Sequence, residues 1–199
     1  LLKYIFKNRG ELNINVVFLS GLNSPERLIK TFFSLNLTDI IKILYLKFYY
    51  FLFKKKKLQS IDNFLFINDI NSSKGLNFLS KNQFDLIVSL NCPQIISKNT
   101  LNKIKVDFVN FHPGKLPNYR GIFIPFHCIF NNEEFINLSF HKIDSGIDSG
   151  ILIDEISIAI EKNDNIFKLY KKIFYSQKSK KFILNCIKSY NKIKYHKIN

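Results

Sequence analysis

Two short clusters of polar and glycine residues contain the side chains best suited to catalysis. The first begins with Asn110 and His112 at the end of an apolar segment, and the second is the glycine-rich run 144–150, which includes Asp148. An amide can donate a hydrogen bond to an oxyanion, an imidazole can carry a proton, and a carboxylate can orient the imidazole. An amine that attacks a carbonyl carbon needs all three functions.

Each cluster also has an ordinary structural explanation. A histidine at a strand end can simply bond to a backbone carbonyl, and the run 144–150 can be an Asx-turn hairpin. That run offers too few oxygen ligands for calcium, so no metal is expected. His141, on the strand before the run, is interpreted as a core or surface strand residue rather than a site residue.

The pattern of apolar runs predicts an α/β fold, because buried strands alternate with amphipathic helices. Asn110 and His112 are two residues apart, so they share one face if the strand continues through Phe111, which then points to the other. Ligands gather where strands of such sheets end. Strands are predicted at 15–20, 64–67, 85–90 and 107–111, and helices at 24–33, 38–53 and 72–81.

The second half of the chain predicts an antiparallel pair and a closing helix. Strands 137–143 and 151–160 flank the glycine-rich run, and Asn163 or Asp164 can cap the last helix, whose packing face continues in the apolar set 182–190. The sequence has no Met, and residues 1–6 look like the end of a first helix. We therefore expect one domain over 1–199, with a first strand and its loop preceding Leu1.

Composition narrows the function classes less than the motifs do. The net charge of +15 fits a polyanionic partner, but the chain is rich in Ile, Lys, Asn and Phe, so codon bias explains much of its Lys content. The run 54–57 is either a solvated turn or a basic helix end that rests on lipid or nucleic acid. Three unpaired cysteines and the lack of a long apolar span indicate a cytoplasmic protein.

The combination of both clusters resembles the folate-dependent formyltransferases, which include glycinamide ribonucleotide, methionyl-tRNA and amino-sugar formyltransferases. The resemblance runs over 84–175, through the segments 84–89, 93–97, 110–121 and 140–150. It implies a Rossmann-like three-layer fold, with a mostly parallel sheet. Gly114 stands where many members have serine, which is a mild departure because glycine also occurs there in sugar-modifying relatives.

The resemblance also implies roles for individual residues. Asn110, His112 and Asp148 match the catalytic trio, with Asn110 as oxyanion donor, His112 as proton shuttle and Asp148 as the group that orients and polarises the imidazole. The co-substrate would be 10-formyltetrahydrofolate, without a metal. Its expected contacts are groups near five residues: Gln94, Ile96, Asp144, Ser145 and Ile147.

The acceptor is expected to be a small amine, most simply that of an amino-sugar nucleotide. The residues 119–121 and the helix 38–53 look more like the sugar branch, although glycinamide ribonucleotide and methionyl-tRNA remain alternatives. A different class also stays open, namely a basic module that binds nucleic acid or a membrane surface without catalysis. A third possibility is an inactive relative that folds and binds folate. The sequence does not give the oligomeric state.

Overall fold

The structure is a computed structural model that describes residues 1–19 and 64–196. The predicted helices 24–33 and 38–53 and the lysine run 54–57 lie outside the described residues. The described strands are β1 (Val16–Leu19), β2 (Phe64–Ile67), β3 (Leu86–Leu90), β4 (Asp107–His112), β5 (Phe135–Lys142) and β6 (Leu152–Ala159). The described helices are α1 (Leu2–Asn8), α2 (Ser73–Lys81), α3 (Lys98–Lys103), α4 (Ile124–Phe130), α5 (Ile166–Tyr175) and α6 (Gln177–His196).

The strands form a parallel pair and a four-stranded mixed sheet. β1 pairs with β2 in parallel, and the larger sheet has the order β3, β4, β5, β6. In that sheet β3 and β4 are parallel, whereas β5 runs antiparallel to both β4 and β6. The α/β class and the added antiparallel pair are therefore confirmed. The parallel character predicted for most of the sheet is found in β1 to β4.

Helices cover both faces of the larger sheet, which gives three layers. Val109 and Phe111 of β4 lie in a buried cluster with residues of α1, α4, α5 and α6. Phe108, which directly precedes Val109 in the strand, belongs to a second cluster with β2 and the helices α2 and α3. Successive side chains of a strand point to opposite faces, so this division follows directly from the strand conformation.

The helix ends show where local sequence acts and where the predictions need correction. Ser72 caps α2 by accepting a hydrogen bond from the backbone N–H of Gly75, as the predicted helix start suggests. The cap of α5 is Asn165, whose side chain accepts from the N–H of Lys168, and not Asn163 or Asp164 as predicted. The predicted continuous packing face is divided at Ser176, an extended residue that separates α5 from α6.

Two further features concern the chemical environment of the chain. Across residues 1–19 and 64–196, none of the helices is long and apolar enough to cross a bilayer. Cys92, Cys128 and Cys186 are all free thiols, and Cys128 and Cys186 are buried. Burial raises the pKa of Cys128 to about 11 and that of Cys186 to about 12, so both remain protonated and unreactive near neutral pH.

Candidate active site

The carboxyl end of β4 presents Asn110 and His112 on the same face of the sheet. The strand extends through His112, and Phe111 between them is fully buried in the cluster on the opposite face. His112 is only 3% exposed although it ends the strand. The expected shared face is therefore found, and it places an amide beside an imidazole at the edge of the sheet.

Asp148 reaches this edge from the glycine-rich loop between β5 and β6. Asp144 accepts hydrogen bonds from the N–H of Gly146 (3.0 Å) and the hydroxyl of Ser149 (2.6 Å), so the loop contains the Asx-turn that the sequence indicated. Asp148 itself has a φ of +46°, a left-handed conformation that aspartate tolerates better than most residues. The ordinary structural role of the loop and the placement of its carboxylate are thus compatible.

The three expected catalytic side chains converge. Asp148 Oδ2 lies 3.3 Å from His112 Nδ1, and Asp148 Oδ1 lies 3.4 Å from Asn110 Nδ2. The backbone N–H of Gly121 donates to Asp148 Oδ2 over 2.9 Å, which fixes the carboxylate from the loop that follows β4. Residues separated by 36 positions in the chain therefore meet in one small polar cluster.

His141 is a buried strand residue, as expected, but it also belongs to this cluster, which the prediction did not favour. It is paired directly opposite Asn110 in the sheet and is 1% exposed. Its Nδ1–H donates to the carbonyl of Lys142 (2.7 Å), so Nε2 of the neutral ring accepts from Asn110 Nδ2 (3.2 Å). Asp148 Oδ1 lies 3.5 Å from the same Nε2.

The signal for His141 was present in the sequence as an alternation. Along β5, Ile136, Leu138 and Phe140 are fully buried in the apolar cluster. The intervening polar residues Asn137, Ser139 and His141 are also buried. Buried polar residues at every second position of a strand indicate a polar inner face, and such a face next to Asn110 and His112 marks a site.

A backbone carbonyl sets the tautomer of His112. The carbonyl oxygen of Tyr119 lies 2.6 Å from Nε2 and can only accept, so the neutral ring carries its proton on Nε2. Nδ1 is then the basic nitrogen, and it faces Asp148. The Tyr119 hydroxyl donates to Glu133 (2.5 Å) and accepts from Asn131 (3.0 Å), which anchors the residue that holds the imidazole.

Gly114 is required by this arrangement. A Cβ at position 114 would lie 2.5 Å from the Tyr119 carbonyl oxygen and 2.8 Å from His112 Nε2, closer than real Cβ contacts. The Gly114 carbonyl accepts a hydrogen bond from the buried hydroxyl of Ser139 over 2.6 Å, so the loop cannot easily move away. The glycine that departs from the serine of many relatives therefore has a steric reason in this chain.

The electrostatics of the cluster favour a neutral imidazole next to a charged carboxylate. Burial lowers the pKa of His112 below its ordinary 6.5, and this outweighs the opposite effects of Asp148 and the Tyr119 carbonyl. Burial alone would raise the pKa of Asp148, but bonds from His141 and Gly121 and the nearby His112 bring it below the ordinary value. A neutral base beside an anion is the state that accepts a proton from an amine.

The five residues expected near folate lie on two neighbouring segments. The side chain of Gln94 bonds to the Asn68 carbonyl (2.6 Å) and the Ile70 N–H (3.0 Å), which ties the loop after β3 to the loop after β2. Ile96 is buried, and Ile143 packs against its cluster. Asp144, Ser145 and Ile147 follow Ile143 and are exposed. Both segments therefore border the same apolar cluster.

Other candidate centres are less suited to chemistry. A surface cavity of about 400 Å³ is lined by Phe84, Asp85 and Asp107, at the amino ends of β3 and β4, which is the opposite edge of the sheet from the trio. In the part of the chain that the structure describes, His, Cys, Asp and Glu form no group of three or more that could hold a metal ion.

Comparison with known proteins identifies the family. A family model described as formyl transferase matches residues 52–185, which include all of the residues in the polar cluster. The chain is 33% identical over 132 residues to the bifunctional polymyxin resistance protein ArnA of Wigglesworthia glossinidia brevipalpis, covering 66% of this chain and 20% of that protein. It is 31% identical over 100 residues to a GDP-perosamine N-formyltransferase of Brucella melitensis biotype 1, covering 50% and 39%.

A solved structure extends the likeness to most of the fold. The sugar N-formyltransferase from Shewanella sp FDAARGOS_354 superposes with a TM-score of 0.63 at 18% identity, over 94% of this chain and 62% of that chain. This chain spans about a fifth and two fifths of the lengths of the two curated relatives. The family match nevertheless covers more than half of the sequence. The chain therefore belongs to the formyl transferase family.

Proposed function

We propose that this chain transfers the formyl group of 10-formyltetrahydrofolate to the primary amine of an amino-sugar nucleotide. The observation that carries the proposal is the convergence of Asn110, His112 and Asp148, with 3.3 Å between His112 Nδ1 and Asp148 Oδ2 and 3.4 Å between Asn110 Nδ2 and Asp148 Oδ1. An amide donor, a neutral base and an anion in one partly buried cluster meet the needs of amine acylation.

In the proposed reaction His112 moves one proton from the amine to the folate nitrogen. The amine nitrogen bonds to the formyl carbon, and His112 Nδ1 accepts the proton that the amine releases. The imidazolium then donates Nδ1–H to Asp148 Oδ2, while Nε2–H stays on the Tyr119 carbonyl. As the bond from the formyl carbon to the folate nitrogen breaks, His112 returns the proton to that nitrogen, giving a formamide and tetrahydrofolate.

Asn110 is the proposed donor to the oxyanion of the tetrahedral intermediate. Its Nδ2 lies 3.2 Å from His141 Nε2 and 3.4 Å from Asp148 Oδ1. Both distances are at or beyond the long end of the range for N–H donors, so either contact can be exchanged for a shorter bond to a developing charge. His141 and Asp148 would then hold the amide orientation before the reaction.

The segments at 94–96 and 144–147 are the proposed contacts for the folate. The side chains of Gln94 and Asp144 are already used within the protein, which leaves backbone groups to meet the ligand. Ile95 is 63% exposed and Ile147 is 58% exposed, one on each segment. Exposed apolar side chains on two neighbouring segments suit a flat aromatic ligand, which the pterin ring of folate provides.

Two similar proteins motivate a sugar acceptor, while others are a methionyl-tRNA formyltransferase of Wolbachia pipientis, 35% identical over 79 residues, and phosphoribosylglycinamide formyltransferases of known structure. The Brucella relative is a GDP-perosamine N-formyltransferase, and the Shewanella structure is that of a sugar N-formyltransferase. Glycinamide ribonucleotide and methionyl-tRNA are the other acceptors to be tested. The alternative of a basic binding module rests on the run 54–57, which lies outside the described residues, and on the lysine-rich end of the chain.

A formyl-transfer assay that compares two histidine variants tests the proposal. The chain is incubated with 10-formyltetrahydrofolate and, in separate reactions, an amino-sugar nucleotide, glycinamide ribonucleotide or charged initiator tRNA, and formylated product is measured by mass spectrometry. His112→Ala should lower the rate by about 10²–10⁴-fold. His127→Ala is the matched control, because His127 is exposed on α4. Absence of product with every acceptor, or an active His112→Ala protein, contradicts the proposal.

A further inference from the structure

The loop that fixes Asp148 also carries three exposed side chains immediately beside it. Gly121 donates its N–H to Asp148 Oδ2 over 2.9 Å. Arg120 and Ile122 are the residues directly before and after Gly121 in the chain. Ile122 is 73% exposed and Phe123 is 66% exposed. Arg120 is exposed as well. We call Arg120, Ile122 and Phe123 the acceptor rim.

Arg120 differs from the other basic residues in type and in environment. Of the 30 basic residues only three are arginines: Arg9, Arg27 and Arg120. Arg9 stacks over the ring of Phe6 at 5.1 Å, which gives it a structural role. Within residues 1–19 and 64–196, Arg120 takes part in none of the ion pairs or ring contacts. A planar guanidinium that is not engaged by any of the described residues is well suited to bind a phosphate through two hydrogen bonds.

Phe123 keeps a large exposed ring in an unfavourable backbone conformation. Its φ is +59°, in the left-handed region that costs an ordinary residue roughly 1–2 kcal/mol and that glycine would adopt freely. The conformation is needed because the Phe123 carbonyl accepts from Phe126 and His127 at the start of α4. Among the described residues the ring makes no aromatic contact, and at 66% exposure it is open to a ligand.

We propose that the acceptor rim binds the nucleoside diphosphate part of the acceptor, with Arg120 on a phosphate and the ring of Phe123 on the planar base. This inference rests on the proposed function, since it assumes that the amine enters next to Asp148. Binding energy from this part of the acceptor, which does not react, would position the amine against the formyl carbon. Ile122, between the two residues, would cover an apolar face of the ligand.

Two pairs of variants test the rim by selectivity. The ratio of kcat/KM for the nucleotide-linked amine to kcat/KM for the same amino sugar without phosphate should fall roughly 10- to 100-fold in Arg120→Gln. Phe123→Ala should lower it about tenfold. The controls are Lys181→Gln, an exposed cation on α6, and Phe130→Ala, an exposed ring at the far end of α4. An unchanged ratio in both rim variants overturns the inference.

Direct binding separates this inference from the proposed function. Titration calorimetry with UDP and with GDP, without any formyl donor, should show binding to the unaltered chain that weakens by roughly 10- to 100-fold in Arg120→Gln and not in Lys181→Gln. Nucleotide binding of this kind without formyl transfer would support the rim and contradict the proposed function. Formyl transfer in which Arg120→Gln behaves like Lys181→Gln would support the proposed function and contradict the rim. An effect of Arg120→Gln on charged tRNA alone would also overturn the rim.

Discussion

The two faces of the β4–β5 pair are both largely buried but differ in chemistry. On one face Phe111 and Phe140 lie opposite each other and stack with ring centroids 4.5 Å apart. On the other face the pairs directly opposite are Asn110 with His141 and His112 with Ser139. The strand register that builds the core therefore also assembles the polar cluster. Fold and site are specified by the same pairing of two strands.

The comparison shows what a buried polar face requires. A buried polar group is costly unless it has a hydrogen-bond partner, whereas an apolar group needs only close packing. His112 bonds to the Tyr119 carbonyl, Ser139 to the Gly114 carbonyl and His141 to the Lys142 carbonyl. Backbone carbonyls of the loop after β4 and of the last residue of β5 therefore supply these partners, and the loop after β4 is part of the site.

The largest effect should be a loss of stability when a ring is removed from the apolar face. Phe140→Ala removes a fully buried ring that also contacts Tyr190 edge-on, and should lower the free energy of unfolding by about 3–5 kcal/mol. Denaturant titration measures the change, and Phe135→Ala, 52% exposed on the same strand, is the matched control. A cost below about 1 kcal/mol would mean that this face is not the packed core.

A smaller effect is expected where loop and polar face touch. Gly114→Ala places a Cβ 2.8 Å from His112 Nε2 and 2.5 Å from the Tyr119 carbonyl, so the imidazole or the loop must shift. A displacement of about 1 Å in a catalytic group can cost roughly 10²-fold in rate, and we expect a loss of that order in formyl transfer. Gly10→Ala is the control for a glycine distant from the site, and thermal unfolding checks that the Gly114 variant is folded. Full activity of Gly114→Ala would show that the Tyr119 contact is dispensable.

The smallest effect is a dependence of stability on pH. Because burial lowers the pKa of His112 in the folded chain, the unfolded chain takes up this proton first as the pH falls below 6.5. The stability that neutral His112 contributes is present above pH 6.5 and is lost as the pH falls toward the pKa of His112 in the folded chain. Asp148 and His141 face His112, and the lowered pKa of Asp148 acts in a separate window below 3.8. Between pH 7.5 and 5 the free energy of unfolding should depend less on pH in His112→Gln than in the unaltered chain. An equal dependence in both proteins would contradict a lowered pKa for His112.

The difference between the apolar and polar faces explains which strands and which site residues the sequence predicts. Apolar runs and their spacing predict β3, β4, β5 and β6 within two residues at each end, because burial of a strand is recorded in its own residues. Asn110, His112 and Asp148 were identified because residue types and spacing resemble a family. His141 was missed because the alternation along β5 indicates a polar face but does not record that this face lies opposite Asn110 and His112.

Other features could not be predicted because they are made by backbone atoms. The Tyr119 carbonyl sets the His112 tautomer, and the Gly121 N–H holds Asp148, yet neither contact uses a side chain of those residues. The cap at Asn165 in place of Asn163 or Asp164 is a choice among three adjacent polar residues, each of which can cap a helix. Such choices are decided by the packing of the whole helix on the sheet.

A double-mutant cycle between His112 and Asp148 tests the central claim that the polar face works as one catalytic unit. Formyl-transfer rates are measured for His112→Ala, Asp148→Asn and the double variant. Residues that act as a unit show strongly non-additive losses, so the double variant should be within about threefold of the slower single variant. Losses that multiply across the two substitutions would mean that the carboxylate and the imidazole act separately, and would contradict this account of the site.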